Sequence, residues 1–515
     1  MRNNIGLLLA KRAALSPRLE GLVEVERGRR FTFAELDARC NRTAHVLQGI
    51  GVGKGDRVAL LLMNGVEYVE TFFALAKLGA IAVPLNWRLV ADELAFILQD
   101  SGAAALIYDG EFREVAAELA RRGPAATAVR TWLQVGTLDP RDAFAHSYDA
   151  LQAAAPADQP AIAAADEDEL YVMYTSGTTG HPKGAVHTHG SALWACITIA
   201  TTADVRYRDR YVIVSPLFHV AALTPMTGNV QRGITSIVMR AFDPGRLLET
   251  IEAERVTVLL AVPAMLNALL HAPELARYDC SSLRWIMSGA APVPVTLIEA
   301  YAARGIEIHQ VYGLTETCGP ACLVSPEDAI AKAGSTGKAF FHTDVRVVDE
   351  RGRDVAPGAV GEVLVRGPHL MKGYWNRPEA TADAIRDGWL YTGDLATVDA
   401  DGFVYIADRK KDMIISGGEN VYPAEIENVI LSHPGVREVA VIGRPSVKWG
   451  ESALAIVVRK DPALSERAVL EHCSGKLARY KLPRAVRFAD ELPRNPAGKV
   501  LKRLLRERFP EPAAE

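Results

Sequence analysis

The stretch LYVMYTSGTTGHPKG, residues 170–184, is the most informative part of the sequence. It opens with an apolar run that is typical of a buried strand. The loop that follows consists of glycines and hydroxyl-bearing residues: Thr175, Ser176, Gly177, Thr178, Thr179 and Gly180, with Lys183 close behind. Glycines let backbone N–H groups approach an anion, while hydroxyls and a lysine add donors and positive charge. The stretch therefore suits a polyphosphate, although it lacks the GxxxxGK[ST] pattern of a Walker A loop and an ordinary loop remains the alternative.

Helix-like and strand-like segments alternate on both sides of this loop. Residues 33–49 and 66–78 read as helices, and residues 56–63 and 80–84 read as buried strands. This alternation predicts an α/β fold with a large, multi-layer N-terminal domain and largely parallel sheets.

A second, smaller domain is predicted near the C-terminus. The charged cluster DRKKD, residues 408–412, separates two strand-like segments, and it fits a hinge or a simple hairpin equally well. The residues beyond it suffice for a domain of their own. We expect domains over residues 1–408 and 409–515, the second of α+β type.

Composition and charge exclude several classes of protein. The chain has 515 residues, of which 49% are hydrophobic and 23% charged, and this balance is typical of a globular protein rather than a disordered or coiled-coil one. A spanning helix and a secretory signal are not expected, so a cytoplasmic location is predicted. The net charge of −4 argues against a nucleic-acid partner. Residues 409–515 nevertheless hold 20 Lys and Arg against 14 Asp and Glu, which suggests an anionic ligand or chance surface charge.

The cysteines and paired histidines do not predict a metal site. Six cysteines are scattered without a CxxC pair, and Cys318 and Cys322 are expected to be core or loop thiols. His187 and His189 form a lone HxH, which is interpreted as surface or strand histidines.

Five further motifs follow the glycine loop: YGLTE (312–316), YTGDL (391–395), DRKKD (408–412), SGGEN (416–420) and PRNPAGK (493–499). With YTSGTTGHPKG, this ordered set resembles the adenylate-forming superfamily of acyl-CoA synthetases, luciferases and peptide-synthetase adenylation domains. The likeness is greatest to bacterial fatty acyl-CoA synthetases, and aryl-CoA ligases are also similar. It implies that a carboxylate and ATP give an acyl-adenylate, from which coenzyme A takes the acyl group.

The resemblance also implies roles for individual residues in adenylation. Lys499 would bridge the carboxylate and the α-phosphate, although without the motif it is one of many surface lysines. Glu316, with the Thr175 hydroxyl, would bind Mg²⁺, the alternative being a helix cap or a loop carboxylate. The nucleotide site would take adenine against Tyr312, the ribose at Asp394 and the phosphates at Thr315, with further contacts from Gly313, Arg409, Gly289, Ala290 and Ala291.

Thioester formation requires a second set of residues. The resemblance implies that Ser416, Gly417, Gly418 and Asn420 lie along the arm of coenzyme A. Trp449 would lie beside that arm, or else it is a core tryptophan. Lys411 takes the hinge position, about which a mobile small domain would rotate between the two steps.

The acyl pocket is the least determined part of the site. The resemblance implies that His219 guards the carboxylate end and that Val220, Trp194 and Gly289 line the pocket. A medium- to long-chain fatty acid is favoured over a hydroxycinnamate or a benzoate, and loading of a separate carrier protein is a further alternative. The cluster RYRDRY, residues 206–211, is either a weak membrane contact or a solvated turn. A monomer or a homodimer is expected.

Overall fold

The secondary structure alternates between helices and strands along most of the chain. The computed structural model describes residues 3–175, 182–290, 293, 295–409, 414–421, 423–493, 500 and 502–510. In this part of the chain the helices are α1 (Ile5–Leu15), α2 (Phe33–Gly49), α3 (Val66–Leu78), α4 (Ala91–Ser101), α5 (Arg113–Arg122), α6 (Tyr148–Ala154), α7 (His189–Thr202), α8 (Val220–Arg232), α9 (Pro244–Ala253), α10 (Pro263–Leu270), α11 (Val295–Ala302), α12 (Pro378–Ala384), α13 (Pro423–Leu431), α14 (Glu466–Cys473) and α15 (Lys502–Arg508).

The strands of the same residues build four sheets. In chain order they are β1 (Glu20–Glu24), β2 (Arg29–Thr32), β3 (Arg57–Leu61), β4 (Ile81–Pro84), β5 (Ala105–Asp109), β6 (Thr131–Val135), β7 (Ala145–Ser147), β8 (Glu169–Thr175), β9 (Lys183–Thr188), β10 (Arg210–Ile213), β11 (Thr235–Val238), β12 (Val258–Leu260), β13 (Trp285–Gly289), β14 (Glu307–Tyr312), β15 (Cys322–Leu323), β16 (Lys338–Ala339), β17 (Asp344–Val348), β18 (Gly361–Arg366), β19 (Gly373–Tyr374), β20 (Ile385–Arg386), β21 (Trp389–Val398), β22 (Val404–Arg409), β23 (Ile414–Ser416), β24 (Glu419–Val421), β25 (Val436–Ser446), β26 (Gly450–Arg459) and β27 (Ala485–Phe488).

The two largest sheets are mainly parallel. The nine-stranded sheet has the order β16-β15-β14-β13-β12-β10-β11-β1-β2 and is parallel from β14 to β1. The eight-stranded sheet has the order β19-β9-β8-β4-β3-β5-β6-β7 and is parallel from β8 to β7. Parallel neighbours need crossover connections, which here contain helices such as α3 between β3 and β4. The predicted α/β fold with largely parallel sheets is confirmed.

The two smaller sheets are mainly antiparallel. One joins β17, β18, β21 and β20, with β22 added beside β21. The other has the order β24-β23-β26-β25, with β27 beside β26. Helices α13 and α14 pack on this last sheet through a core that includes Ile426, Ile430, Val441 and Val469.

The chain divides into two compact units. One contains residues 1–87, 98–174 and 184–408, and the other contains residues 88–97, 175–183 and 409–515. Two short segments from the N-terminal part of the sequence therefore group with the C-terminal residues.

Helix α3 forms part of the core of the first unit. All of its residues are buried, including Glu70 and Lys77. Buried charges require partners, and Lys77 Nζ contacts the carboxylate of Asp37 at 2.5 Å. Glu70 accepts hydrogen bonds from Arg39 (2.6 Å) and from the hydroxyl of Tyr148 (2.7 Å). These polar contacts fix α3 against its neighbours without exposing it to water.

Candidate active site

A short turn after β14 carries Glu316. Residues Thr315–Thr317 form one 3₁₀ turn, and the hydroxyl of Tyr374 donates to Glu316 Oε1 at 2.8 Å. Gly313 begins this bend, and a Cβ there would collide with the carbonyl of Gly319. Only glycine allows the backbone to double back so closely. The turn thus presents one oriented, half-buried carboxylate.

Tyr312 and Asp394 lie side by side although they are far apart in sequence. Tyr312 ends β14, and its hydroxyl donates to Asp394 Oδ2 at 2.7 Å. Asp394 lies in β21 and is 1% exposed. It follows Gly393, which has a φ of 73° and therefore permits the tight bend at this point. The structure brings together these two residues, both of which are predicted to bind the nucleotide.

The small-residue turn after β13 lies beside β14. Gly289 pairs with Val311, and a Cβ at Gly289 would collide with the carbonyl of that residue. Ala290 adopts a φ of 66°, which L-residues with a side chain rarely do. Ala291 lies outside the described residues. The bend lies at the carboxyl end of two parallel strands.

The ends of the glycine loop are described, but its centre is not. Thr175 ends β8, and its hydroxyl donates to the carbonyl of Lys183 at 3.4 Å. Lys183 begins β9. The predicted phosphate ligands between them lie outside the described residues: Ser176, Gly177, Thr178, Thr179 and Gly180. The strand predicted before the loop is β8, and a second strand, β9, begins at Lys183.

Three of the four predicted acyl-pocket residues lie on or at the start of two neighbouring helices, and the fourth, Gly289, ends β13. His219 is the N-cap of α8, and Val220 is its first residue. The ring of His219 lies 4.5 Å from that of Phe218. Trp194 lies on α7 and is 38% exposed, with its ring 5.3 Å from that of His342. Val220 is therefore half-buried near the start of α8, while Trp194 lies on the outer side of α7.

The predicted coenzyme A residues lie on two turns of the second unit. Gly417 and Gly418 form the turn between β23 and β24, and the N–H of Gly417 donates to the carbonyl of Trp449 at 2.8 Å. Trp449 is half-buried rather than a core residue. Its ring lies 5.2 Å from Lys448 Nζ and 5.3 Å from the guanidinium carbon of Arg484. The Gly417 turn therefore lies against a half-buried aromatic ring that two cations approach.

The remaining predicted residues of this unit are only partly described. Ser416 is buried at the end of β23. Asn420 pairs with Ile415 through the backbone, and Arg409 ends β22. Lys411 and Lys499 lie outside the described residues.

Sequence reasoning missed Tyr374, Lys448 and Arg484. Tyr374 lies 58 positions from Glu316 in sequence, and a lone tyrosine has no spacing that marks it as a partner of that carboxylate. Lys448 adjoins Trp449, but Arg484 comes from a separate loop. Only the general positive charge of residues 409–515 points to such a site.

The predicted core thiols and the HxH histidines are buried. All six cysteines are free, and Cys318 and Cys322 are buried. His187 and His189 are 0% exposed, and burial lowers the pKa of each to about 4. In the described part of the chain, no group of three or more His, Cys, Asp and Glu side chains is arranged to hold a metal ion.

Comparison with known proteins places the chain in a family. The AMP-binding enzyme model matches residues 9–375, and the model of the AMP-binding enzyme C-terminal domain matches residues 425–499. The chain is 49% identical to the long-chain-fatty-acid–CoA ligase FadD13 of Mycobacterium tuberculosis, over 98% of both chains. It is 42% identical to a feruloyl-CoA synthase of Amycolatopsis, over 99% of this chain and 100% of that one.

A solved structure agrees with these matches. A double mutant of the o-succinylbenzoate CoA synthetase MenE of Bacillus subtilis, bound with its product analogue, has a TM-score of 0.87 to this chain. The two are 35% identical over 99% of both chains. The ordered motifs, the fold and the full-length matches therefore agree, and the chain belongs to the AMP-binding enzyme family as an AMP-forming carboxylate–CoA ligase that uses ATP, Mg²⁺ and coenzyme A.

Proposed function

We propose that this ligase acts on medium- to long-chain fatty acids. The observation that carries the proposal is the 49% identity, over nearly all of both chains, to a ligase of long-chain fatty acids. Hydroxycinnamates or benzoates are the second candidate, because the match to a feruloyl-CoA synthase is also full-length, at 42%. Transfer to a carrier protein in place of free coenzyme A is a third.

In the first step, the carboxylate of the acid attacks the α-phosphorus of ATP and pyrophosphate leaves. Two anions meet, so positive charge at the point of contact lowers the barrier. We assign this charge to Lys499. The glycine loop, with Lys183 and Thr315, holds the phosphates through hydroxyl, backbone and ammonium donors.

Glu316 and the Thr175 hydroxyl are the proposed protein ligands of Mg²⁺. This ion is usually bound by one or two carboxylates together with substrate phosphates. The carboxylate of Glu316, which Tyr374 orients, fits that pattern better than a cluster of several carboxylates would. When bound, Mg²⁺ neutralises charge that develops on the phosphate oxygens. Tyr374 acts by fixing the direction of the Glu316 carboxylate.

Tyr312 and Asp394 act together on the nucleoside. The 2.7 Å hydrogen bond between them supports this assignment, because it holds the carboxylate in one orientation. A carboxylate can accept hydrogen bonds from both ribose hydroxyls, and an aromatic face suits adenine. Gly289, Ala290, Ala291 and Gly313 supply close backbone, and Arg409 contacts the ribose or the phosphate.

In the second step, the thiol of coenzyme A attacks the acyl carbon and AMP leaves. The Gly417 turn and Trp449 are proposed to lie along the arm of the thiol, together with Ser416, Gly418 and Asn420. Lys448 and Arg484, each close to the Trp449 ring, support binding of the phosphates of coenzyme A. We further propose a domain boundary at 408/409 with Lys411 as the hinge residue.

The residues of the acyl pocket, the cellular location and the oligomeric state are also proposals. His219 is assigned to the carboxylate end of the pocket, and Val220, Trp194 and Gly289 to its walls.

We propose a cytoplasmic monomer or homodimer. In the described residues, no helix has the length and apolar character needed to cross a bilayer. Tyr207 is 54% exposed, with the guanidinium groups of Arg12 and Arg208 each 5.9 Å from its ring centre, and this supports a weak membrane contact.

A panel of acids tests the substrate assignment. Acids from acetate to palmitate, with ferulate and benzoate, are compared by pyrophosphate release and by acyl-CoA formation. We expect the highest kcat/KM with an alkyl chain of medium or greater length, and a preference for ferulate would instead favour the aryl alternative. Free coenzyme A and a carrier protein are compared as acceptors. If Lys499→Ala keeps adenylation within about tenfold of wild type, the assigned charge is wrong.

A further inference from the structure

Two buried histidines contact the backbone of the turn that carries Glu316. His187 Nε2 lies 2.7 Å from the carbonyl oxygen of Thr315, and His369 Nδ1 lies 2.9 Å from that of Thr317. Both side chains are 0% exposed. The two rings therefore meet the main chain on each side of the proposed Mg²⁺ ligand.

The carbonyl contact of each ring fixes its tautomer, and a hydroxyl lies beside the other nitrogen. His369 Nε2 lies 2.7 Å from the hydroxyl of Thr343, and His187 Nδ1 lies 3.3 Å from the hydroxyl of Ser191. A carbonyl oxygen only accepts, so the nitrogen facing it must carry the proton. In a neutral ring the other nitrogen carries no proton and can accept from a hydroxyl, as His369 Nε2 does from Thr343, whereas the Ser191 hydroxyl beside His187 also donates to the carbonyl of Thr188 at 3.2 Å. His187 donates through Nε2, whereas His369 donates through Nδ1.

The rest of the turn is held in the same way. The N–H of Met371 donates to the carbonyl of Glu316 at 2.8 Å, and the Thr224 hydroxyl donates to that of Cys318 at 2.9 Å. Cys318 has a φ of 54°, in the left-handed region that favours glycine. Such a conformation persists only when its surroundings determine it. Four consecutive carbonyls thus accept hydrogen bonds from outside the turn.

We propose that His187 and His369 are positioning residues that set the direction of the Glu316 carboxylate by holding the carbonyls of Thr315 and Thr317. The proposal rests on the proposed role of Glu316 as a Mg²⁺ ligand. A Mg²⁺ ion demands near-ideal octahedral geometry, so a small rotation of this turn moves the carboxylate out of place. Burial lowers the pKa of both imidazoles and so favours the neutral form.

Amide side chains test the two tautomers separately. The Asn amide nitrogen is as many bonds from Cα as Nδ1 of histidine, and the Gln amide nitrogen is as many as Nε2. His187→Gln and His369→Asn therefore keep the donor, while His187→Asn and His369→Gln displace it. Phe at either position keeps a ring and removes the donor.

Adenylation and thioester formation are measured separately for each variant. Pyrophosphate release is followed over a range of Mg²⁺ concentrations, and thioester formation is followed from supplied acyl-adenylate. We expect the displaced-donor and Phe variants to slow adenylation about 10–100-fold, with a higher Mg²⁺ requirement. The same variants should change thioester formation by less than about threefold, and the donor-keeping variants should stay within about threefold of wild type in both steps.

His189 provides a matched control. It is also 0% exposed, but its Nδ1 accepts from the N–H of Ile5, which lies outside the turn. His189→Phe should lower the melting temperature without changing the ratio of the two rates or the Mg²⁺ requirement. The proposal is overturned if Gln and Asn act alike at both positions, or if His187→Phe slows both steps equally.

Glu316→Gln separates this proposal from the one on which it rests. If that variant keeps wild-type Mg²⁺ dependence, the ligand role of Glu316 and the role of the histidines both fail. If it loses adenylation while the displaced-donor histidine variants do not, only the positioning role fails.

Discussion

Replacing Gly417 by alanine should slow thioester formation and leave adenylate formation close to wild type. Gly417 has a φ of 61°, and an added Cβ would lie 2.9 Å from Cε3 and 3.3 Å from Cζ3 of Trp449. A separation under about 3.0 Å cannot persist, so the ring or the turn must move. Because the N–H of Gly417 also holds the carbonyl of Trp449, both turns are disturbed together.

The expected magnitude has two parts. A left-handed conformation costs a non-glycine residue about 1–2 kcal/mol. Overpacking against the Trp449 ring adds about 1–3 kcal/mol. Part of this cost lowers stability, and part displaces the surface that we assign to the arm of coenzyme A. A misplacement of about 1 Å can cost about 100-fold in rate, so we expect the second step to slow by roughly 10–100-fold.

Gly450→Ala is the matched control for this variant. Gly450 adjoins Trp449 and has a φ of 76°, and among described residues other than its two chain neighbours its added Cβ would come within 4 Å only of the carbonyl of Ile415, at 3.9 Å. It therefore imposes a similar backbone strain beside Trp449, with no close contact to a residue distant in sequence. We expect it to lower stability by about 1–2 kcal/mol while thioester formation stays within about threefold of wild type.

Single-turnover kinetics distinguish the possibilities. Acyl-adenylate is formed on the enzyme, coenzyme A is added, and acyl-CoA is measured over time; pyrophosphate release reports the first step. Equal slowing by the Gly417 and Gly450 variants would refute a specific role for the contact with Trp449. Equal slowing of both steps by Gly417→Ala would refute the assignment of this turn to coenzyme A.

Two further predictions concern the first unit. Tyr374→Phe removes the 2.8 Å hydrogen bond to Glu316, and a bond to a charged group is worth about 1.5–3 kcal/mol, so adenylation should need roughly tenfold more Mg²⁺, measured by titration of pyrophosphate release. An unchanged Mg²⁺ requirement would contradict the orienting role. Burial raises the pKa of Glu70 from 4.5 to about 7, so the folded state binds this proton more tightly and the contribution of Glu70 to stability falls as pH rises between those values. Relative to Glu70→Gln, wild type should lose up to roughly 3 kcal/mol across that window in chemical denaturation, and parallel stability curves would show that Glu70 is not responsible.

The sequence predicted the elements that depend on local pattern. Helices α2 and α3 begin and end as the sequence predicts, at residues 33–49 and 66–78. Thr32 caps α2 through a capping box with Glu35, and Gly79 ends α3 with a φ of 69°. Caps and apolar periodicity act over a few residues, so both can be recognised in a single chain. The parallel sheets follow because strands alternate with helices.

The family motifs were also recognisable, because several short strings in a fixed order identify the family without any coordinates. What those strings do not show is which distant side chains support them. Trp449 could be read from sequence as a core residue or as a ligand contact, and its exposure and its position against Gly417 depend on how two hairpin turns meet. Of the cations near Trp449, the sequence showed only that residues 409–515 carry a net positive charge.

The sequence alone determined the fold class, the family and the chemistry of the reaction, since these follow from local periodicity and from contiguous motifs. The tertiary structure alone decided that Tyr374, His187 and His369 surround the turn of Glu316. These residues come from separate strands and loops, and His187 by itself is only half of an HxH. Hydrogen bonds act over about 3 Å of space and carry no trace in sequence spacing, so only the folded chain shows which donor meets which acceptor.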